Sequence, residues 1–315
     1  MDLSLVVPCF NEEENIIEFY DCVEGCFEGK NFTYEFVFVN DGSKDKTLLK
    51  LKELTKTKQS NIQVISFSRN FGKESAIYAG LSRAKGDAVC IIDADLQQRP
   101  EVVLKMKEIL DTKPEVDCVA AFQEKRKEGK VLSALKSCFY KIINKVSEVD
   151  FVNGASDFRL MRRQMVNAVL SMTEYHRFSK GILSWVGFNT EHIAYEVQPR
   201  EHGESKWSVV KLTKYAIEGI VAFSTAPLKI ATIVGFIASL LSIIYLLVVV
   251  IQKLFFEIDV PGYATIVVLI LFLGGLILFS LGIIGEYLAK IYVQIKNRPI
   301  YIEKEYFTNQ TEDKD

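Results

Sequence analysis

Histidine and tryptophan are scarce in this chain of 315 residues, with three and two copies, and no two of its six cysteines form a C-x-x-C pair. His176, His192 and His202 lie far apart and do not read as a ligand cluster; structural or surface roles suit them. Cys9, Cys22, Cys26, Cys90, Cys118 and Cys138 read as reduced thiols of a cytosolic domain. No basic excess exists. The 38 Lys and Arg stand against 40 Asp and Glu, which excludes the charge footprint of a general nucleic-acid binder. The first apolar run, residues 3–7, follows Met1-Asp2 directly and is too short, with an acid at its flank, for a secretion signal. No G-x-G-x-x-G follows that run, which disfavours a NAD-binding oxidoreductase. No internal repeat is found.

The apolar content that is present is spread unevenly. Mean hydropathy is +0.14, but up to about residue 200 the chain reads as globular, and the excess lies beyond Pro227. Residues 230–251 and 260–285 contain no charged side chain over 22 and 26 positions. Each exceeds the roughly 20 residues that cross about 30 Å of hydrocarbon. The connection 252–259 carries Lys253, Glu257 and Asp259. Lys206, Lys211, Lys214 and Lys229 precede the pair of spans, and Lys290, Lys296 and Arg298 follow it. The positive-inside rule then puts the large domain and the C-terminus in the cytoplasm, and the protein in the plasma membrane as a multi-pass chain. The expected division is a globular domain 1–204, a segment 205–228, a transmembrane hairpin 229–289 and a cytoplasmic tail 290–315. Residues 208–223 read as an amphipathic interfacial helix, with a plain soluble connector as the alternative. Residues 309–315 read as a polar, disordered end.

Strand and helix alternate through the first half. Residues 3–7, 36–39, 62–67, 88–92 and 116–122 are apolar runs of strand length, and 12–26, 48–54, 74–83 and 101–110 read as helices. Asn11 is a candidate cap for the first helix. Residues 131–149 read as an amphipathic helix, 156–161 and 193–197 as further strands. Trp185 reads as core and Trp207 as an interfacial anchor. The pitch predicts an α/β fold with a mostly parallel, Rossmann-like doubly wound sheet. In such sheets ligands bind beyond the carboxyl ends of the strands. Residues 8–12, 40–43, 69–74 and 93–97 occupy those ends.

The chemistry centres on Asp93-Ala94-Asp95, directly after a buried strand. Two carboxylates one residue apart repel when bare, but suit an oxygen-seeking Mg²⁺ or Mn²⁺ that neutralises a diphosphate. Gln97 could add an oxygen. An acid at a neighbouring strand end can bond a base or ribose, and Lys73 can face phosphates. Asp41-Gly42 also suits a tight turn.

Together with these strand ends, the segments SRNFGKESAIYAGLSRAKGD, IIDADLQQRPE, NGASDFRLMRR, RFSKGILSWVGF and REHGESKW, followed by two spans, resemble a known family over nearly the whole chain. The resemblance is to inverting, metal-dependent glycosyltransferases of the GT-A fold in family 2. The nearer match is their polyprenyl-phosphate branch, dolichyl-phosphate mannose synthase and undecaprenyl-phosphate (bactoprenol) glucosyltransferases. The family's usual D-A-D-L-Q-D-P-P-E stands here as DADLQQRPE, with one acid lost. The resemblance implies that Pro8, Phe10, Glu12 and Asp41 hold the nucleoside, and that Asp93, Ala94 and Asp95 meet the metal and diphosphate. It places Asp157 on the acceptor side, as base or positioning residue. Positioning is preferred, because a phosphate monoester is already anionic at neutral pH. Arg126, Arg200 and Lys206 are the candidate cations for the acceptor phosphate; Lys125, Lys127 and Lys130 are equivalent candidates to Arg126.

The implied reaction moves a sugar, first choice glucose from UDP-glucose, onto a polyprenyl phosphate for cell-surface glycan modification. UDP-N-acetylglucosamine and GDP-mannose are alternative donors. The family also implies a homo-oligomer, with a tetramer plausible. A processive polysaccharide synthase would need more spans and a Q-x-x-R-W motif, and no Arg-Trp pair occurs. A non-catalytic scaffold of a glycan-assembly complex is the alternative from another class.

Overall fold

The computed structural model describes residues 1–123, 155–195, 224–256 and 262–309, with positions 144 and 221. The expectations for 131–149, 208–223, Trp207, Arg126, Arg200 and Lys206 lie outside the described residues.

The apolar runs become strands β1 (Leu3–Cys9), β2 (Tyr34–Asn40), β3 (Asn61–Phe67) and β4 (Ala88–Ile91). The helices between them are α1 (Ile16–Phe27), α2 (Thr47–Thr57) and α3 (Lys73–Arg83). Next come α4 (Pro100–Thr112), β5 (Cys118–Gln123), β6 (Ala155–Arg162), α5 (Arg163–Ser171), α6 (Ser179–Trp185) and β7 (Thr190–Tyr195). Two long helices, α7 (Ala226–Phe256) and α8 (Tyr263–Ile295), lead to β8 (Glu303–Thr308).

One eight-stranded sheet runs β7-β5-β6-β4-β1-β2-β3-β8. β1 pairs in parallel with β2 and β4, and β2 with β3. This centre is doubly wound as expected. Antiparallel pairing enters through β6 and at the β8 edge. Side chains alternate between two cores, as a pleated strand buried on both faces demands. Leu3, Leu5, Val7, Phe36 and Phe38 pack with α1, α2 and α4. Val6, Val37 and Val39 pack with α3, α5 and α6 on the other face. Helix α3 approaches β1 so closely that a Cβ on Gly80 would lie 2.2 Å from Val6 Cγ1. A larger residue there would overpack the layer.

Three local expectations are corrected. Asn11 does not cap α1, which starts at Ile16 after Asn15; it sits in the left-handed region at φ 55 and its Oδ1 accepts the Lys44 N–H. Trp185 is 55% exposed at the end of α6 rather than in the core. The polar stretch after Pro299 holds β8, antiparallel to β3. Two of its acids are ion-paired to flanking helices, Glu305 to Lys52 of α2 at 2.6 Å and Glu303 to Arg83 of α3 at 3.1 Å, so the strand reads as polar.

The spans of α7 and α8 are 27 and 31 residues with mean hydropathies of 2.8 and 2.9, and none of either window is buried in the protein. Faces this apolar and this bare suit hydrocarbon rather than water.

Candidate active site

Strand β1 ends in a loop laced to the loop after β2. Asp41 N–H donates to Cys9 O at 2.9 Å, Asn11 N–H to Ser43 Oγ at 3.0 Å and Glu12 N–H to Thr47 Oγ1 at 2.9 Å. Pro8 pairs with Val39 one position before the end of the β1–β2 ladder, and Phe10 is an exposed aromatic at its rim. The Glu12 carboxylate accepts from Asn15 Nδ2 at 2.6 Å. Asp41, 3% exposed, accepts the N–H groups of Phe71 and Gly72 at 2.6 and 2.9 Å. Burial pushes its carboxyl up, and those two N–H groups pull it back in part. Both of its oxygens therefore hold the loop ahead of α3. Gly42 makes that approach possible: φ is +63, and a Cβ would lie 2.4 Å from the Arg69 carbonyl carbon. The expected nucleoside residues thus share one rim, with Asp41 shaping its loop.

Beyond β4, Ala94 is buried in the core while Asp93 and Asp95 face outward at half-buried positions. Leu96, at φ 57, turns the chain so that it packs back on the core. Gln97 N–H donates to Asp95 Oδ1 at 3.2 Å. Gln98, at the position of the lost acid, is 6% exposed and holds Asp93 twice. Its Oε1 accepts Asp93 N–H at 2.9 Å and its Nε2 donates to Asp93 Oδ2 at 3.1 Å.

The antiparallel register of β4 and β6, with Ile91 opposite Arg159, carries Asp157 toward Asp93. Lys73 bridges them: Nζ lies 2.7 Å from Asp93 Oδ1 and 3.3 Å from Asp157 Oδ2. Burial works against the Lys73 charge, but the two carboxylates outweigh it and its pKa rises. Burial likewise pushes Asp157 up, yet Lys73, Lys180 and Arg159 prevail and its pKa falls. Asp157 Oδ1 is buried without a hydrogen bond. Behind Lys73, Glu74 accepts the backbone N–H of Ser179 at 2.9 Å and its hydroxyl. Burial, then the charge of Asp157, pushes Glu74 up to about 7. Gln98, Glu74, Arg159 and Lys180 were missed in the sequence. The only signal was the position of Gln98 in the loop motif.

Among the described residues no group of three or more His, Cys, Asp or Glu could hold a metal by itself. Two rim carboxylates fit a Mg²⁺-like ion that takes its remaining oxygens from a diphosphate and water. Asp93, Asp95 and the Gln97 side chain are the residues present for it.

A doubly wound sheet with acids at the carboxyl ends of its central strands, an antiparallel β6 returning a third acid to them and an apolar helix pair is the architecture of a membrane-tethered glycosyltransferase of the GT-A fold. The chain belongs to glycosyl transferase family 2, whose family model matches residues 4–170. The GtrB C-terminal hairpin matches residues 226–291. The Bacillus subtilis (strain 168) protein CsbB is 44% identical over 303 residues, 96% of this chain and 91% of that protein. The SfII prophage-derived bactoprenol glucosyl transferase of Shigella flexneri is 41% identical over 304 residues, 96% of this chain and 98% of its own. Among solved structures, glucosyl-3-phosphoglycerate synthase from Mycobacterium tuberculosis, in complex with Mn²⁺, UDP-glucose and phosphoglyceric acid, aligns with a TM-score of 0.47. That alignment has 17% identity and covers 70% of this chain and 77% of that one.

Proposed function

We propose that this glycosyltransferase moves glucose from UDP-glucose onto a polyprenyl phosphate at the cytoplasmic face of the plasma membrane, with inversion at the anomeric carbon. The observation that carries the reading is the Asp93–Lys73–Asp157 cluster at the rim of a domain joined to two bare apolar helices. The bactoprenol acceptor named for the Shigella relative supports the same choice of lipid.

In this reading the loops at Pro8–Glu12 and Asp41 seat the nucleoside. Asp93 and Asp95, with Gln97, hold a divalent cation together with the donor diphosphate, and Gln98 keeps Asp93 oriented. A bound Mg²⁺ or Mn²⁺ supplies charge stabilisation for the departing diphosphate. Asp157 positions the acceptor: its lowered pKa keeps it ionised, and an anionic phosphate oxygen needs no base. That oxygen attacks the anomeric carbon from the face opposite the diphosphate. The carbon–oxygen bond to the diphosphate breaks, giving a polyprenyl-phosphate sugar and UDP. Lys73, which bridges Asp93 and Asp157, is the cation that would meet phosphate charge at this rim. Arg126, Arg200 and Lys206 complete the acceptor contacts, and the chain works as a homo-oligomer.

The test is incubation of purified protein with undecaprenyl phosphate and a panel of radiolabelled nucleotide-sugars, with and without chelator. Label should enter the lipid from UDP-glucose and stop with chelator. D95A should bring transfer to background while the protein stays folded. Turnover that survives chelation removes the metal role, and a label that enters only from UDP-N-acetylglucosamine or GDP-mannose replaces the donor.

A further inference from the structure

The charges of Lys73, Lys180 and Arg159 all act on Asp157, and only Lys73 is ion-paired with it. Lys73 is shared with Asp93, whereas Lys180 and Arg159 form no ion pair among the described residues. Arg159 is 5% exposed, and its buried Nε has no hydrogen-bond partner; its Nη2 donates to Ser156 O at 3.0 Å. The buried Oδ1 of Asp157 lacks a partner too. Buried polar groups are almost always satisfied, so an unpartnered guanidinium N–H beside an ammonium points to a ligand that accepts hydrogen bonds. Burial also pushes Lys180 down, against the opposing charge of Asp157.

The fold says from which side that ligand arrives. β6 flanks β4 opposite β1 and β2, whose ends carry the nucleoside candidates. Lys180 lies one residue into α6, whose first residue, Ser179, is fixed by Glu74. The loop before α6 is fastened to the end of α8, with Tyr175 N–H donating to Gln294 Oε1 at 2.9 Å. A cavity of about 260 Å³ between them is lined by His176, Ile182, Tyr287 and Lys290, among others. Helix α6 therefore touches the junction with the spans through Ile182, and Lys180 follows the Ser179 that Glu74 holds beside Lys73, the partner of Asp157.

We propose that Lys180 and Arg159 form a phosphate-binding subsite beside Asp157 that takes the phosphate of the lipid acceptor. The proposal rests on the transfer reaction above. A phosphate could also come from the donor diphosphate, but the site's position on the β6 side, next to the junction with α8, favours the acceptor.

The experiment uses the full chain with Lys180→Gln and Lys180→Arg. Initial rates are measured against undecaprenyl phosphate and against UDP-glucose, and UDP binding is measured by calorimetry. For K180Q the acceptor KM should rise about ten- to a hundredfold, the worth of one charge-assisted hydrogen bond. UDP affinity and donor KM should stay within about twofold, which also reports that the variant is folded. K180R should return most of the acceptor affinity. An unchanged acceptor KM in K180Q overturns the subsite. Loss of UDP binding in both variants gives Lys180 to the donor or to the frame, and equally overturns it. A wild-type chain that binds UDP but transfers no sugar to undecaprenyl phosphate sinks the reaction itself, a result separate from either.

Discussion

Asp93 is held by two side chains before any ligand arrives, Gln98 through two hydrogen bonds and Lys73 across both carboxylate oxygens, so its direction is set by neighbours rather than by the loop alone. Gln98 matters because an amide both accepts from the Asp93 N–H and donates to its carboxylate, which an acid at that position cannot do when ionised. Gln98→Ala leaves the half-buried Asp93 N–H unpaired and its carboxylate held by Lys73 alone, and should destabilise the domain by about 1–3 kcal/mol. Thermal unfolding of the purified protein reads this directly, and an unchanged midpoint would show that water replaces the amide at no cost. At this scale the residues legible in the sequence were those whose chemistry is unusual where they stand: two acids after an apolar run, and an Asp in S-D-F-R. Gln98, Glu74, Lys180 and Arg159 were not legible, because their partners are 5, 105 or more positions away or come from register. Asn11 misled because a capping side chain and a left-handed turn residue look alike in sequence.

Helix α6 is short, and besides the core packing of Ile182 and Leu183 its first residue is held by Glu74, at the start of α3, which accepts two hydrogen bonds from Ser179. That contact is pH-sensitive. The Glu74 carboxyl, ordinarily near 4.5, is pushed up to about 7 by burial and then by Asp157. The folded chain therefore keeps a proton that the unfolded chain releases near 4.5. The stability it contributes is complete below that pH and is lost as the pH climbs through about 7. E74Q keeps an oxygen for both Ser179 donors and removes the titration. Thermal midpoints measured in detergent from pH 5 to pH 8 should fall for the wild type relative to E74Q, and parallel curves would refute the assignment. Elements α1 to α4 and β1 to β4 were readable to within a few residues, since their periodicity is driven by one continuous core on each face. α5, α6 and β8 were not, being short or half-buried and polar. Their places come from pairing with distant strands and helices.

The molecule as a whole returns its chain from the hairpin to the sheet, and that return governs how the domain is carried. After α8, Asn297 turns the backbone at φ 47, the left-handed conformation that ends helices, with Pro299 close behind. Tyr301 then stacks on Phe67 at 4.8 Å, Ile302 O accepts the Ser68 N–H at 3.0 Å, and β8 begins. Only seven positions, 296–302, separate a span-length helix from the sheet edge, and β8 covers β3, whose edge would otherwise be open to another chain. A chain stopped after Ile300 loses Tyr301, Tyr306 and Phe307 and the pairs to Lys52 and Arg83. Half-burial of three aromatic rings is worth about 2–4 kcal/mol, so the domain should melt about 5–15 °C lower. It should also sample more orientations over the bilayer, because the link from α8 to the sheet is cut, and transfer to a membrane-borne acceptor should fall more steeply than UDP binding. Equal losses in the two assays would mean that β8 only stabilises the sheet, while a truncated chain with an unaltered melting point would mean that the β3 edge needs no cover. Transfer lost with UDP binding kept is the result expected if the strand holds the rim of the sheet toward the lipid.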